Sequence, residues 1–326
     1  MKIALKDLRQ KILETLSAGF SREDAESIAE VLLYADMSGI QPMGVAKLTG
    51  TEPLQNIKAK HDVIIERDTK LSQLINAGAN SAPLVSQQAT DVVIKKTKEH
   101  GFAIVGVRNT FSSNLAQAFY VEKIAKQDLI GITMASSPAV TAPFDSIDPL
   151  FGSNPIGFAF PTDNEPLVFD MTTSAMAWYG LILAKSRGES LPDNTAIDST
   201  GKITNDAASA MGGAMLPFDS SYKGSGLSLL VETLAGPLVN AAYCDINIDH
   251  EYGSLFMAID PNLLVDVAEF KTHSSDLLQK IKSSRKKEGV TEIRLPGERA
   301  RLARQEAERT GFLEIDSGVA KELGWL

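Results

Sequence analysis

The stretch from residue 82 to residue 171 constrains this chain most, because helical periodicity and strand-length apolar segments alternate along it. Residues 82–101 place Val85, Ala89, Val92 and Val93 on one helical face. Pro83 falls in the first turn, where a missing N–H costs little, and Gly101 suits the position just past the last turn. Lys95, Lys96 and Lys98 gather near the negative end of the helix dipole. FAIVGV (102–107) then reads as a buried strand and 113–127 as a second helix. LIGITMA (129–135), PIGFAF (155–160) and LVFDM (167–171) read as further strands bounded by turn residues. This alternation predicts an α/β fold.

Both ends read as helical. Ser21 and Asp24 make a capping-box pattern ahead of Ile28, Val31, Leu32 and Ala35, and Gly39 is a plausible stop. A helix after Lys223 carries Leu227, Leu230, Val231 and Leu234 and ends near Gly236-Pro237, with LFMAI (255–259) as a further strand. The tail from 262 to 326 is helix-rich and charged, interrupted at RLPGE (294–298). Without an internal repeat, a low-complexity stretch or a flexible linker, the domains are expected to interleave.

Charge and cysteine usage exclude several classes. Against 32 basic side chains stand 41 acidic ones, a net charge of −9, which disfavours nucleic acid as a partner. Cys244 is the sole cysteine, so no intramolecular disulfide forms, and it is expected to be a small core or surface residue. The first sixteen residues are too charged for a signal peptide, and no apolar run is long enough to span a membrane. A cytoplasmic protein is expected. His61, His100, His250 and His273 lie far apart and are expected to be structural or surface residues, so no metal site is expected.

There is no G-x-G-x-x-G after a strand, no P-loop, no H-E-x-x-H and no G-x-S-x-G. Three segments stand out instead. In Ser221-Tyr222-Lys223-Gly224-Ser225-Gly226 a lysine and glycines open a helix, which reads either as an anion site or as a turn with a solvated lysine. In Asp170-Met171-Thr172-Thr173-Ser174-Ala175 three hydroxyls follow a strand, as phosphate or ribose ligands or as helix caps. In Arg294-Leu295-Pro296-Gly297-Glu298 a tight turn precedes a carboxylate suited to ribose hydroxyls, or is a plain surface turn.

These segments, with Gly152-Ser153-Asn154-Pro155-Ile156 and Leu216-Pro217-Phe218, stand in register across nearly the whole chain. Together they resemble the malate/L-lactate dehydrogenase-like family of nicotinamide-dependent 2-oxo-acid and imine reductases. The resemblance implies a non-Rossmann α/β fold. A central mixed-sheet domain, 76–264, would hold NADH or NADPH. A helical domain from both chain ends, 1–75 plus 265–326, would serve the substrate and a homodimer interface. It also implies that Asp170, Met171, Thr172, Thr173, Ser174, Ala175, Met176, Lys223, Gly224, Pro296, Gly297 and Glu298 contact the dinucleotide.

The sequence departs from the family pattern on the substrate side. Where the family carries S-H-G-[VL]-x-R, this chain reads Pro42-Met43-Gly44-Val45-Ala46-Lys47. Met43 occupies the usual catalytic histidine position and cannot donate a proton. Lys47 keeps the charge of the family's arginine without its bidentate fork. Ser112 stands for a second histidine, Ala135-Ser136-Ser137-Pro138 lacks the family's asparagine, and Asp198 matches an acidic residue that orients the missing histidine. Lys47, Ser112 and Asp198 are therefore the catalytic candidates, with Tyr34 or water as further proton sources. Two readings remain open: an NAD(P)H-dependent oxidoreductase acting on a small 2-oxo acid or imine, and an NAD(P)-binding pseudoenzyme or sensor.

Overall fold

The structure is a computed structural model that describes residues 1–50, 53–57, 61–246, 248 and 251–326. His250 lies outside the described residues. The two chain ends pair: β1 (Lys2–Ala4) runs antiparallel to β12 (Phe312–Glu314), and the Met1 ammonium donates to the Ile315 carbonyl. Helices α1 (Leu5–Leu16) and α2 (Arg22–Met37) follow β1. Ser21 caps α2 by accepting from the Asp24 N–H, as the capping-box pattern predicts, and Gly39 past its end has φ 72°.

The centre is one seven-stranded sheet. Its strands are β2 (Ile64–Asp68), β3 (Ser72–Asn76), β4 (Phe102–Thr110), β5 (Ile130–Ala135), β6 (Pro155–Phe160), β7 (Leu167–Thr172) and β11 (Tyr252–Ile259). Their order is β2-β3-β4-β11-β5-β6-β7. Only β3 and β4, joined by helix α3 (Ala82–His100), run parallel; every other pair is antiparallel, so the sheet is mixed. Gly101 ends α3 in the left-handed region at φ 85°, as its placement predicts.

Alternation along the strands sorts side chains to two cores. Ala103, Val105, Val107, Phe256 and Ala258 face α3 and pack with Ile28, Val31 and Leu32 of α2. Ile104, Leu255, Met257 and Met134 face the opposite layer, where helix α7 (Tyr222–Ala235) presents Val231 and Ala235. A smaller lobe holds its own core of Val140, Leu181, Leu191, Ala196, Ala207 and Met215. It comprises α5 (Trp178–Arg187), β8 (Ala196–Ile197), β9 (Ile203–Thr204), α6 (Ala207–Met211) and β10 (Ala214–Met215). Helices α8 (Val267–Lys282), α9 (Glu298–Thr310) and α10 (Ser317–Glu322) make the charged tail.

Two boundaries differ from the sequence reading. The helix expected over 113–127 is the shorter α4 (Gln117–Ala125), because Leu115 takes a positive φ of 66°, which no α-helix accommodates. Residues 64–75, assigned to the terminal unit, instead supply β2 and most of β3 to the central sheet. Strand β2 reads Ile-Ile-Glu-Arg-Asp and is exposed throughout, so no period-2 signal marked it.

Candidate active site

A cleft of about 940 Å³ opens where α2, α4, the ends of β5 and β7, α5 and the start of α9 converge. Ligand sites commonly occupy such clefts at the seam between structural units. Its substrate-side wall is the segment after α2, wound into two 3₁₀ turns, Gln41–Met43 and Val45–Leu48. Asp36 of α2 fixes that segment: its carboxylate accepts from the Val45 N–H at 2.9 Å. Gly44 lies so close that a Cβ would stand 2.0 Å from Asp36 Oδ1, so any larger residue there would push the buried carboxylate aside. Burial pushes the Asp36 carboxyl up to about 7, against the pull of that hydrogen bond.

Met43 and Lys47 both line the cleft. The Met43 sulfur meets the Ser113 hydroxyl at 3.9 Å. Lys47 places its ammonium 5.2 Å from the centre of the Tyr179 ring. No carboxylate pairs with it among the described residues, and burial lowers its pKa below the ordinary lysine value. Tyr34 donates to Glu122 Oε2 at 2.5 Å, and Arg304 Nη2 donates to the same oxygen at 2.7 Å. The Arg304 guanidinium lies 4.4 Å from the centre of the Tyr34 ring. Burial, then the Glu122 charge, push the Tyr34 hydroxyl far above its ordinary value, so it keeps its proton. Arg304, Glu122 and Tyr34 thus tie α9, α4 and α2 together at the cleft.

The strand-end segment divides. Asp170, Met171 and Thr172 line the cleft. The Asp170 carboxylate already accepts from the Ala118 N–H at 3.0 Å, capping α4, and burial pushes it up to about 6. Thr173 and Ser174 are 0% and 2% exposed and stand behind the wall. The hydroxyls of Thr172, Thr173 and Ser174 donate to the carbonyls of Ser174, Ser153 and Met176. None caps a helix, since α5 begins later, after Ala177. Ala175 is bonded through its N–H to Leu216, and Met176 packs on the small lobe's core.

At the glycine-rich opening of α7 the chain's own side chains accept several of the N–H groups. Ser221 Oγ accepts from Lys223, and Asp219 Oδ1 accepts from Ser221 and Gly224, each at 3.1 Å. A Cβ on Gly224 would stand 2.3 Å from Asp219 Oδ1, so this glycine serves the cap. The Lys223 ammonium lies beside its own neighbour's ring, Tyr222, and neither Lys223 nor Gly224 borders the cleft.

The Pro296-Gly297 turn does border it. Gly297 has φ 73°, and a Cβ there would stand 2.1 Å from the Val168 carbonyl oxygen. Glu298 turns the other way, bonding Lys282 and the Leu295 N–H, and lines a smaller neighbouring pocket of about 250 Å³. Arg299, beside Glu298, lines the cleft, a cation the sequence reading passed over. Asp198 sits in the turn between β8 and β9, accepting from Thr200 and Lys202, away from the cleft. The Thr200 hydroxyl bond chiefly holds its carboxyl below the ordinary range. Ser112 lines the cleft at φ 75°, with its hydroxyl buried and without a partner among the described residues. His61, His100 and His273 do not border it.

Residues 3–324 match the family model described as malate/L-lactate dehydrogenase. The chain belongs to the malate/L-lactate dehydrogenase family. It is an oxidoreductase by that membership. Malate/(S)-sulfolactate dehydrogenase of Methanothermus fervidus is 31% identical to this family member, over 99% of the chain and 96% of the relative. Delta(1)-pyrroline-2-carboxylate reductase of Ancylobacter novellus is 28% identical, over 99% and 96%. The solved sulfolactate dehydrogenase of Methanocaldococcus jannaschii superposes with a TM-score of 0.86 at 30% identity, over 99% of this chain and 95% of that one. No helix among the family member's described residues is long and apolar enough to cross a membrane.

Proposed function

We propose that this family member uses NADH or NADPH to reduce a small carboxylate-bearing substrate, an imine or ketimine in preference to a 2-oxo acid. The observation that carries the reading is Lys47, a cleft ammonium with no carboxylate partner among the described residues, beside Met43. An unpaired, partly desolvated cation is an anion receptor in waiting. Malate, sulfolactate and pyrroline-2-carboxylate, in the names of the relatives, are all carboxylates.

The cleft fits a nicotinamide dinucleotide. It is large, walled by Phe111, Trp178 and Tyr252, and edged by Arg299 and the bare backbone of Gly297. Asp170, Met171, Thr172, Pro296 and Gly297 would hold the dinucleotide, with Thr173 to Met176 supporting that wall from behind. When bound, the reduced nicotinamide supplies a hydride. Lys47 would orient the substrate carboxylate, and the Asp36-held segment would keep Lys47 in place. With Met43 in the family's histidine position, no side-chain acid serves the substrate oxygen there, and a positioned acid is worth roughly 10²–10⁴ in rate. A protonated imine brings its proton with it, which favours the imine.

In this reading the central sheet, from residue 64 to residue 264, carries the dinucleotide side, and the helices from both chain ends carry the substrate side with Met43, Lys47 and Arg304. A homodimer accompanies it, supported by exposed Phe218, Tyr222, Leu229 and Leu238 on and beside α7. The test is loss of NADH and NADPH absorbance against 2-oxo acids, alone and with methylamine, and against cyclic ketimines. Turnover of imines well above ketones is expected. Tight dinucleotide binding by calorimetry with no turnover on any substrate would overturn it in favour of a binding protein without turnover.

A further inference from the structure

We propose that Gln117 is a specificity residue that recognises a neutral carboxamide-type group bound in the cleft. The proposal rests on the reading of the cleft as a dinucleotide and substrate site. Gln117 is the first residue of α4, lines the cleft and is 1% exposed. Both Nε2 and Oε1 are buried and have no partner among the described residues. A desolvated amide with neither hydrogen bond made is costly, and an apolar side chain of the same size would avoid that cost. The missing partner is therefore sought in a ligand.

The surroundings hold this side chain open for one. Gly157 of β6 lies beneath it, and a Cβ there would stand 3.0 Å from Gln117 Cβ and 3.1 Å from Thr133 Oγ1. Thr133, Gly157 and Asp170 are register neighbours across β5, β6 and β7. Asp170 accepts from the backbone N–H of Gln117 and of Ala118, which fixes the residue without using its amide. Thr133 Oγ1 is likewise buried and unpartnered, and so is Ser112 Oγ in the cleft wall.

An amide offers a donor and an acceptor side by side. The group that satisfies both at once is another amide or a ureide, whose N–H meets Oε1 while its carbonyl meets Nε2. A carboxylate would satisfy Nε2 alone and set its charge against Oε1. The carboxamide has two possible sources, the nicotinamide ring and an amide-bearing substrate.

Calorimetry separates them. Wild type should bind NAD⁺ about tenfold more tightly than its nicotinic-acid analogue, and Gln117→Leu should erase that preference while remaining folded. If the substrate is the source, dinucleotide affinities stay level in Gln117→Leu, and KM rises about tenfold for amide-bearing substrates but not for amide-free ones. A second readout does not depend on dinucleotide binding. The side-chain NH₂ resonances assigned to Gln117 by their loss in Gln117→Leu should shift with free nicotinamide or acetamide and not with nicotinate or acetate. No shift with either amide overturns the proposal. Absence of any dinucleotide binding by wild type would instead count against the oxidoreductase reading.

Discussion

Two helix N-termini in this chain look alike on paper and differ in space. Each follows a loop, each has a glycine in or just before its first turn and each has a cation at hand: Lys223 with Gly224 at α7, and Arg299 with Gly297 at α9. At α7 the chain supplies its own acceptors, because Ser221 and Asp219 accept from the Lys223 and Gly224 N–H groups. At α9 no side chain caps the first turn from the N-cap position, and Pro296, Gly297 and Arg299 border the cleft. The positive end of a helix attracts an outside anion only where the chain has not already placed its own acceptor there. The comparison extends to single cations, since Lys47 faces the cleft without a carboxylate partner among the described residues while Lys282 is spent on Glu292 and Glu298.

Removing the cleft cations should therefore hurt most. Lys47→Met should lower kcat/KM for a carboxylate substrate by about 100-fold, the scale of one charge-assisted hydrogen bond, with little change in dinucleotide affinity. Because burial lowers the Lys47 pKa, the ammonium is lost as pH rises at a lower pH than for an ordinary lysine. The alkaline limb of kcat/KM should follow it, and Lys47→Arg should move that limb to higher pH. A wild-type profile without that limb would remove Lys47 from substrate binding. Arg299→Ala comes next: dinucleotide Kd should rise about tenfold, and the salt dependence of binding should flatten. Equal affinity in the variant would put the α9 end on the same footing as α7.

What the sequence made legible follows the same physics. Strands β4, β5, β6 and β7 and helix α3 were readable because each carries an uninterrupted apolar run or face between turn residues. Strand β2 was not, since an exposed edge strand needs no alternation, and neither was the small β8–β10 sheet, whose strands are two residues each. On the site side, Met43, Lys47, Ser112 and Asp170 to Thr172 reach the cleft, as do Pro296 and Gly297. Thr173 and Ser174 do not, because hydroxyls near backbone carbonyls satisfy themselves locally. Gln117, Arg299 and Arg304 carried no local pattern, and their importance comes from contacts that only the fold creates. The Asp219 cap was in view in the sequence, five residues ahead of Gly224, as a carboxylate close enough to reach the turn.

Opening the α7 cap should be a stability event rather than a binding one. Asp219→Ala should cost about 1 kcal/mol in a denaturant melt, the usual loss for a helix cap, and leave Arg299-dependent affinity intact. Lys223→Ala should do least of all. Its ammonium is exposed, lies about 6.0 Å from the centre of the Tyr222 ring and makes no ion pair among the described residues. Exposed contacts of that kind are worth fractions of a kcal/mol. The expected change in calorimetric Kd is less than twofold for both NADH and NADPH. A tenfold loss would mean that the ammonium reaches a phosphate, and a cleft in the neighbouring subunit of the proposed homodimer would be the place to look. The double variant Asp219→Asn with Lys223→Ala decides between the two accounts. If α7 is an anion site held shut by its own carboxylate, Asp219→Asn alone should tighten dinucleotide Kd and the added Lys223→Ala should reverse that gain; if α7 is only a capped helix, neither substitution should move Kd.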